Sequence, residues 1–511
     1  MQAELLQIAA NAVTAKLIGA SRDTKLLVSQ MLSYEVEGAE RNEQFRAGNW
    51  DGRSSFFDFR SETFPAGFVH MVGRELTKLG HRLQYAIKRP PAQLGPEVGT
   101  YDPIGYGFTD DYDYQPETVR RAVRYGRMIA QIATGGGKSN VAALYVDTLR
   151  RPTLFLTTRS SLMHQMKETF EQAGFIPGVM GDGVWQPRKG VNVGMVQTLA
   201  ARLALPSAED RPEKADAKKR RRDLTLALLS YFEAVIGEEA HEVGGTDYYE
   251  VMSHCRNAHY RLALTATPFM RPDGEANMRL QAAFGSIGIQ VSEKLLIDRG
   301  ILATPKFKIV SSASPRMLRR STRWPTCYDL GIVENIERNR AVVFEGVRAV
   351  KYGLTVMVQV QREKHGAALQ KMFAEAGVRS LFVFGKDEQE TRKTALNDLK
   401  AQRIDVLIST TIFDVGVDVP SVGMVILAGA GKAEVGTRQR IGRGLRRKKH
   451  GPNTCFIVDF EDRYNRYLQE HALTRRVIIE TTPGFSENLL APGEDFPYAQ
   501  YIDHQNVGRA A

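Results

Sequence analysis

The sequence predicts an α/β protein in which two tandem, doubly wound, parallel-sheet domains follow a small N-terminal α+β domain. Three observations lead there. From about residue 128 onward, apolar runs of strand length alternate with helical patterns, which is the signature of strand–helix–strand units and a parallel sheet. Hydroxyl, amide and charged residues gather just after those runs, where open α/β sheets place their ligands. The alternation loosens near residue 301 and resumes near 355, so the pattern divides in two.

Composition bounds the rest. A chain of 511 residues with 43% hydrophobic and 25% charged content is ordinary for a soluble globular protein of several domains. No apolar run approaches the ~20 residues needed to cross a bilayer. Residues 1–10 carry Gln2, Glu4 and Gln7 and no basic head, so they do not read as a secretory signal. Cys255, Cys327 and Cys455 form no Cys-x-x-Cys pair, which points to a reducing cytoplasm with neither a disulfide frame nor a zinc site. The 69 Lys and Arg against 58 Asp and Glu leave a net charge of +11, favouring a polyanionic partner.

Residues 1–100 form the expected accessory domain, with a helix-like run over 5–17 and short aromatic strands. Asn49-Trp50-Asp51-Gly52-Arg53 reads as a tight turn, and the alternation in 54–59 suits a strand. Aromatic and basic residues interleave there, so Trp50 and Arg53 are candidate nucleic-acid contacts; an ordinary aromatic core is the competing reading. The Pro- and Gly-rich stretch 90–103 reads as a linker.

The centre of the chain is Ala133-Thr134-Gly135-Gly136-Gly137-Lys138-Ser139, between an apolar run at 128–133 and a helical run at 141–149. Three successive glycines let backbone N–H groups close on an anion, and the following helix adds its positive end. Lys138 is then placed to reach the β and γ phosphates of a nucleotide, and the Ser139 hydroxyl to ligate Mg²⁺. Gln115 lies 23 residues before Lys138; its amide can donate and accept at an adenine edge, pointing to ATP.

Strands are expected at 152–158, 191–197, 234–236 and 261–267, forming a domain over 101–310. Thr158, Arg159, Gln197 and Thr198 end two of them and suit phosphate and sugar oxygens. Ile236-Gly237-Glu238-Glu239 ends a third. Hydrolysis needs one carboxylate for the metal and one to deprotonate water, which assigns Glu238 to Mg²⁺ and Glu239 to the base. The charged stretch 206–223 is expected as a solvated helix or arm.

The segment 306–325 reads as a crossing into the second domain, 311–475, with strands at 355–361, 380–384, 405–409, 424–427 and 455–460. This domain has no phosphate loop of its own. It carries Gly416 and Asp418, then Gln439-Arg440-Ile441-Gly442-Arg443-Gly444-Leu445-Arg446-Arg447. Arg443 and Arg446 are three apart, so on a helix they share a face and can present guanidinium groups to a γ phosphate. Residues 476–511 are left as a C-terminal tail.

Taken together, Gln115, ATGGGKS (133–139), LTTRSSLMHQ (156–165), GEEAH (237–241), LTATP (264–268), the 416–418 stretch and QRIGRGLRR (439–447) resemble, in order, the motifs of superfamily 2 helicases and translocases. LTATP and the segment VSEKLLIDRGILATP (291–305) are similar to the branch that holds XPB, RadD and the phage recombination helicase UvsW. WDGRSSFFDF is similar to the small DNA-binding domain of UvsW-like phage proteins. The resemblance implies two RecA-like lobes and an ATP- and Mg²⁺-dependent motor on duplex, forked or branched DNA. It also implies nucleotide contacts from Gln115, Thr134, Gly135, Gly136, Gly137, Lys138, Ser139, Gly416, Asp418 and Gln439. Glu238, Glu239, Arg443 and Arg446 are the implied catalytic set, and Thr158, Arg159, Gln197, Thr198 and Thr410 the nucleic-acid track. Glu238 stands where the family usually has Asp. An RNA helicase, or a nucleic-acid-binding scaffold with a decayed motor, stays open as an alternative.

Overall fold

The computed structural model describes residues 3–92, 110–269, 274–410, 422–431, 434–448 and 452–501. The chain divides into two compact units, Met1–Ile132 with Gly137–Gln290, and Ala133–Gly136 with Val291–Ala511. Both are built on the expected doubly wound sheet.

The first unit holds an eight-stranded sheet in the order Val184–Gln186, Gly178–Gly181, Val191–Met195, Thr153–Thr157, Ala234–Glu238, Tyr260–Thr265, Arg127–Ile132, Ile287–Val291. Its central pairings are parallel. Central strands covered on both faces read as continuous apolar runs, and every residue of Thr153–Thr157, Ala234–Glu238 and Tyr260–Thr265 is buried. Strand Ala234–Glu238 runs two residues past its expected end and so carries Glu238 within the sheet. The charged stretch becomes part of a 20-residue helix, Pro212–Tyr231.

A four-stranded sheet, ordered Thr63–Pro65, Thr14–Ile18, Leu5–Ala10, Arg82–Ile87, with helices Arg22–Met31 and Val69–Lys78, forms the small N-terminal subdomain. The helix-like run expected at 5–17 is instead an antiparallel pair, Leu5–Ala10 with Thr14–Ile18. The burial period decides this: Leu6, Ile8 and Ala10, then Ala15 and Leu17, face the core at every second position. Asn11 Oδ1 closes the turn by accepting from the N–H groups of Val13 and Thr14, each at 2.8 Å. Of the strand expected at 54–59, only Arg53–Ser55 forms, paired with Ser33–Glu35. The subdomain is packed onto the first sheet's helices. Gly67 lies so close to the carbonyls of Gln281 and Ala282 that a Cβ would stand 2.1 and 2.3 Å from them, and Arg127 donates to the Ala12 carbonyl at 3.0 Å.

The second unit holds a six-stranded sheet in the order Thr304–Ser311, Thr454–Glu461, Met424–Ile426, Val356–Gln359, Val406–Ser409, Ser380–Val383, parallel throughout. The crossing expected at 306–325 opens as the edge strand Thr304–Ser311. Phe307 is buried while Lys306 and Lys308 reach Asn488, Glu345 and Asp495, and those alternating lysines hid the strand. Helix Arg466–Thr481 runs through the expected boundary at 476. Beyond it, Leu490 N–H donates to the Phe307 carbonyl at 2.9 Å, and Phe496 and Tyr498 join the second core. Two fully buried arginines brace this unit. Arg338 bonds Asp462 and the Ala428 carbonyl, and Arg475 bonds Asp459 and the carbonyls of Gly431 and Phe460. No helix among the described residues is long and apolar enough to cross a membrane.

Candidate functional site

Strand Arg127–Ile132 delivers the chain into the glycine loop, and helix Lys138–Leu149 leaves it. Gly135 and Gly137 adopt φ of 86° and 77°, a region costing a side-chain-bearing residue about 1–2 kcal/mol. Gly137 is the helix N-cap, with no side-chain cap hydrogen bond, and a helix N-terminus carries partial positive charge. Lys138 Nζ donates to the Ile132 carbonyl at 3.4 Å, folding back over the loop's entry.

Gln115 sits in helix Tyr114–Tyr125 with no exposed surface, and neither Oε1 nor Nε2 has a hydrogen-bond partner. A Cβ on Gly137 would stand 2.5 Å from its Nε2. An amide buried with both polar atoms unpaired costs the fold energy, and it lies against the loop.

Ala234–Glu238, lying between Thr153–Thr157 and Tyr260–Thr265, brings the acidic pair to the carboxyl end of the sheet. Glu238 is only 5% exposed and its Oε2 has no partner. Burial pushes its carboxyl up to about 7; the Lys138 ammonium pulls it back and the Glu239 carboxylate adds to the rise. Glu239 adopts φ 48° and ψ 47° and caps the 3-10 turn Ala240–Gly244, a left-handed backbone of the kind that gathers at functional sites. Thus Gln115, Gly137, Lys138, Glu238 and Glu239 all belong to one edge of the first unit.

The same edge gathers Thr158, Arg159, Gln197 and Thr198 of the residues expected along the nucleic-acid track. Gln197 and Thr198 open helix Val196–Leu203 rather than end a strand, because Val191–Met195 stops before them. Gln197 Nε2 donates to the Thr158 carbonyl at 3.1 Å. The Thr158 hydroxyl donates to Glu242, and Arg159 Nη2 donates to Glu242 Oε1 at 3.0 Å. Glu242 was not among the expected residues. A signal was available, since it follows Glu239 by three positions in GEEAHE, one turn of a 3-10 helix.

Trp50 and Arg53 are engaged beside the strand pair Ser33–Glu35 and Arg53–Ser55. Trp50 Nε1 donates to the Arg53 carbonyl at 2.6 Å, and the Arg53 guanidinium bonds Ser33 Oγ and Glu35.

In the second unit, Thr410 follows strand Val406–Ser409 and donates its N–H to the Val383 carbonyl at 3.3 Å. Gln439 is buried on helix Glu434–Gly444, which also carries Arg443. Arg446 does not share a helical face with Arg443. The helix ends at Gly444, and Arg446 pairs with Leu302 in an isolated antiparallel bridge. Gly416 and Asp418 lie outside the described residues.

Two family models match the chain. Residues 109–270 match the model of the type III restriction enzyme res subunit, and residues 339–448 match the helicase conserved C-terminal domain. The chain is 23% identical over 461 residues to the ATP-dependent DNA helicase uvsW of Enterobacteria phage T4, covering 83% of this chain and 84% of that one. It is 25% identical over 370 residues to the DNA 3'-5' translocase XPB2 of Sulfurisphaera tokodaii, covering 66% and 78% respectively. A fragment of an HsdR subunit of a type I restriction enzyme from Vibrio vulnificus YJ016 shares the fold, with a TM-score of 0.53 at 18% identity over 77% of this chain and 70% of that one. With two RecA-like domains, and with the res-subunit and helicase C-terminal models matched in sequence order, the chain belongs to the superfamily 2 helicases.

Proposed function

We propose that this protein is an ATP-dependent DNA helicase or translocase that works on duplex or branched DNA. The observation that carries the proposal is the juxtaposition of a buried, unpaired Gln115 amide, the loop at Gly137 and the buried Glu238 carboxyl in the field of Lys138. The residues fit ATP and Mg²⁺. Gln115 has a free donor and acceptor for an adenine edge, and a Cβ on Gly137 would meet its Nε2 at 2.5 Å. Glu238 carries a buried carboxylate oxygen without a partner. A Mg²⁺ ion here would be held by Ser139, Glu238 and phosphate oxygens rather than by an all-protein cage. Bound there, Mg²⁺ supplies neutralisation of charge on the phosphate oxygens.

The chain's own residues do the rest. Lys138 and the loop N–H groups bind the β and γ phosphates. Glu239 holds the attacking water and accepts its proton. Arg443 and Arg446 act on the γ phosphate, and Thr158, Arg159, Gln197, Thr198 and Thr410 hold the nucleic-acid backbone. The DNA assignment is supported by the uvsW and XPB2 names of the two relatives and by the net charge of +11.

Phosphate release measured with and without duplex DNA, forked DNA and single-stranded RNA tests the proposal. DNA-stimulated release that Lys138→Ala abolishes, with DNA binding retained, is the expected result. Stimulation by RNA alone would favour the RNA helicase reading. No release at any Mg²⁺ concentration would leave a binding scaffold.

A further inference from the structure

The candidate base and the candidate backbone contacts are tied together by one carboxylate. Glu239 begins the turn Ala240–Gly244 in a left-handed conformation. Three residues on, Glu242 accepts from the Thr158 hydroxyl and from Arg159 Nη2 at 3.0 Å. The far end of the turn is held by Arg279, which donates to the Gly244 carbonyl at 3.0 Å, and Gly244 leaves no room for a Cβ against Ala276. The turn that sets Glu239 therefore has one anchor inside the fold and one at the edge. The edge anchor is exchangeable, because Arg159 is 51% exposed while Glu242 is 19% exposed.

A carboxylate presents two acceptor oxygens to a guanidinium and a hydroxyl, and so does a phosphodiester. The donors that Glu242 engages are the donors expected to hold the backbone. We propose that Glu242 is a positioning residue that competes with a nucleic-acid phosphodiester for the Thr158–Arg159 seat, so that backbone arrival there frees the turn carrying Glu239 and raises hydrolysis. This rests on the ATPase reading above and deepens it by naming the link between backbone binding and the base. Glu242 touches no reacting atom in this scheme; it sets where the Glu239 turn sits.

The test is Glu242→Gln in the full chain, read as a nucleic-acid Kd without nucleotide and as phosphate release without nucleic acid. The amide keeps an acceptor for Thr158 and loses the charge that holds Arg159. Removing a half-exposed competitor of this kind is expected to tighten Kd about fivefold and to raise the unstimulated rate, lowering the ratio of stimulated to unstimulated turnover. Duplex DNA and single-stranded RNA form separate arms, since either backbone carries the phosphodiester. Glu242→Asp, which keeps the charge but falls short of Arg159 by one methylene, shifts both readings in the same direction. Arg159→Ala raises the unstimulated rate and weakens Kd. A purely structural Glu242 would lower turnover and leave Kd unchanged or weaker, which overturns the proposal, as does no change in either reading. Absence of turnover in every protein, including wild type, refutes the ATPase reading instead, and the Kd arm then decides whether Glu242 blocks the seat.

Discussion

Nε2 of Gln115 lies 2.5 Å from where a Cβ on Gly137 would stand, so the adenine candidate and the phosphate loop are packed without space for a methyl group between them. Gly137 also sits at φ 77°, so Gly137→Ala combines a clash with about 1–2 kcal/mol of backbone strain. Nucleotide affinity should fall at least tenfold, measured by titration with a fluorescent ATP analogue. An unchanged Kd would show that the loop does not bind nucleotide in this conformation.

Gln115 itself is the base-selection prediction. Its unpaired buried amide weakens the fold, so Gln115→Leu should leave the melting temperature unchanged or raise it slightly. The same variant should lose preference for ATP over GTP, with KM for ATP rising by roughly tenfold, the scale of one or two lost hydrogen bonds. Retained ATP preference in steady-state competition would remove Gln115 from the base site.

Glu238 makes stability depend on pH. Its carboxyl is raised from 4.5 to about 7, first by burial. Below pH 4.5 both folded and unfolded chains hold the proton, and the site costs nothing. As pH climbs from there toward 7, the unfolded chain ionises first, so stability falls and the penalty is complete above 7, on the order of 3 kcal/mol. Glu238→Gln should therefore raise the melting temperature at pH 8 and not at pH 4.5, in melts without nucleotide or divalent ions. A gain that is equal at both pH values would contradict the burial of an ionisable group.

The buried arginine pairs of the second unit predict a large loss. Arg338 is fully buried on Asp462, with the Nε bond at 2.9 Å. Removing one partner strands the other charge, at a cost of about 3–5 kcal/mol. Chemical denaturation of Arg338→Ala should show that loss, while Arg340→Ala, on an exposed pair with Glu337, should change stability by less than about 1 kcal/mol.

Gly67 joins the N-terminal subdomain to the helices behind the first sheet, at 2.1 Å for an added Cβ to the Gln281 carbonyl. Gly67→Val should separate these layers and make the subdomain more sensitive to limited proteolysis. Unaltered protease resistance would mean that the seam tolerates the added volume.

Much of the fold was legible because the first lobe's strands are short, apolar and buried on both faces, and the motifs sit at their ends. The N-terminal hairpin differs from the helix its sequence suggests because Leu5–Ala10 and Thr14–Ile18 mix polar and apolar residues at intervals that satisfy a helical period as well as a strand period; pairing with Arg82–Ile87 selects the strand. Thr304–Ser311 was missed because its lysines find partners at Asn488, Glu345 and Asp495, far along the chain. The three-residue spacing of Arg443 and Arg446 puts them on one face of a helix; Gly444 instead ends that helix before Arg446.

By itself the sequence determined the glycine loop with its lysine and serine, the neighbouring carboxylates, and the alternation that makes two parallel sheets, because these depend on residues adjacent in the chain. The tertiary structure decided that Gln115 meets Gly137, that Glu238 is buried enough to hold its proton near pH 7, and that Glu242 reaches Arg159. Those depend on which strands lie side by side, here Ala234–Glu238 between Thr153–Thr157 and Tyr260–Thr265, and strand order is set by packing the whole sheet rather than by any local spacing.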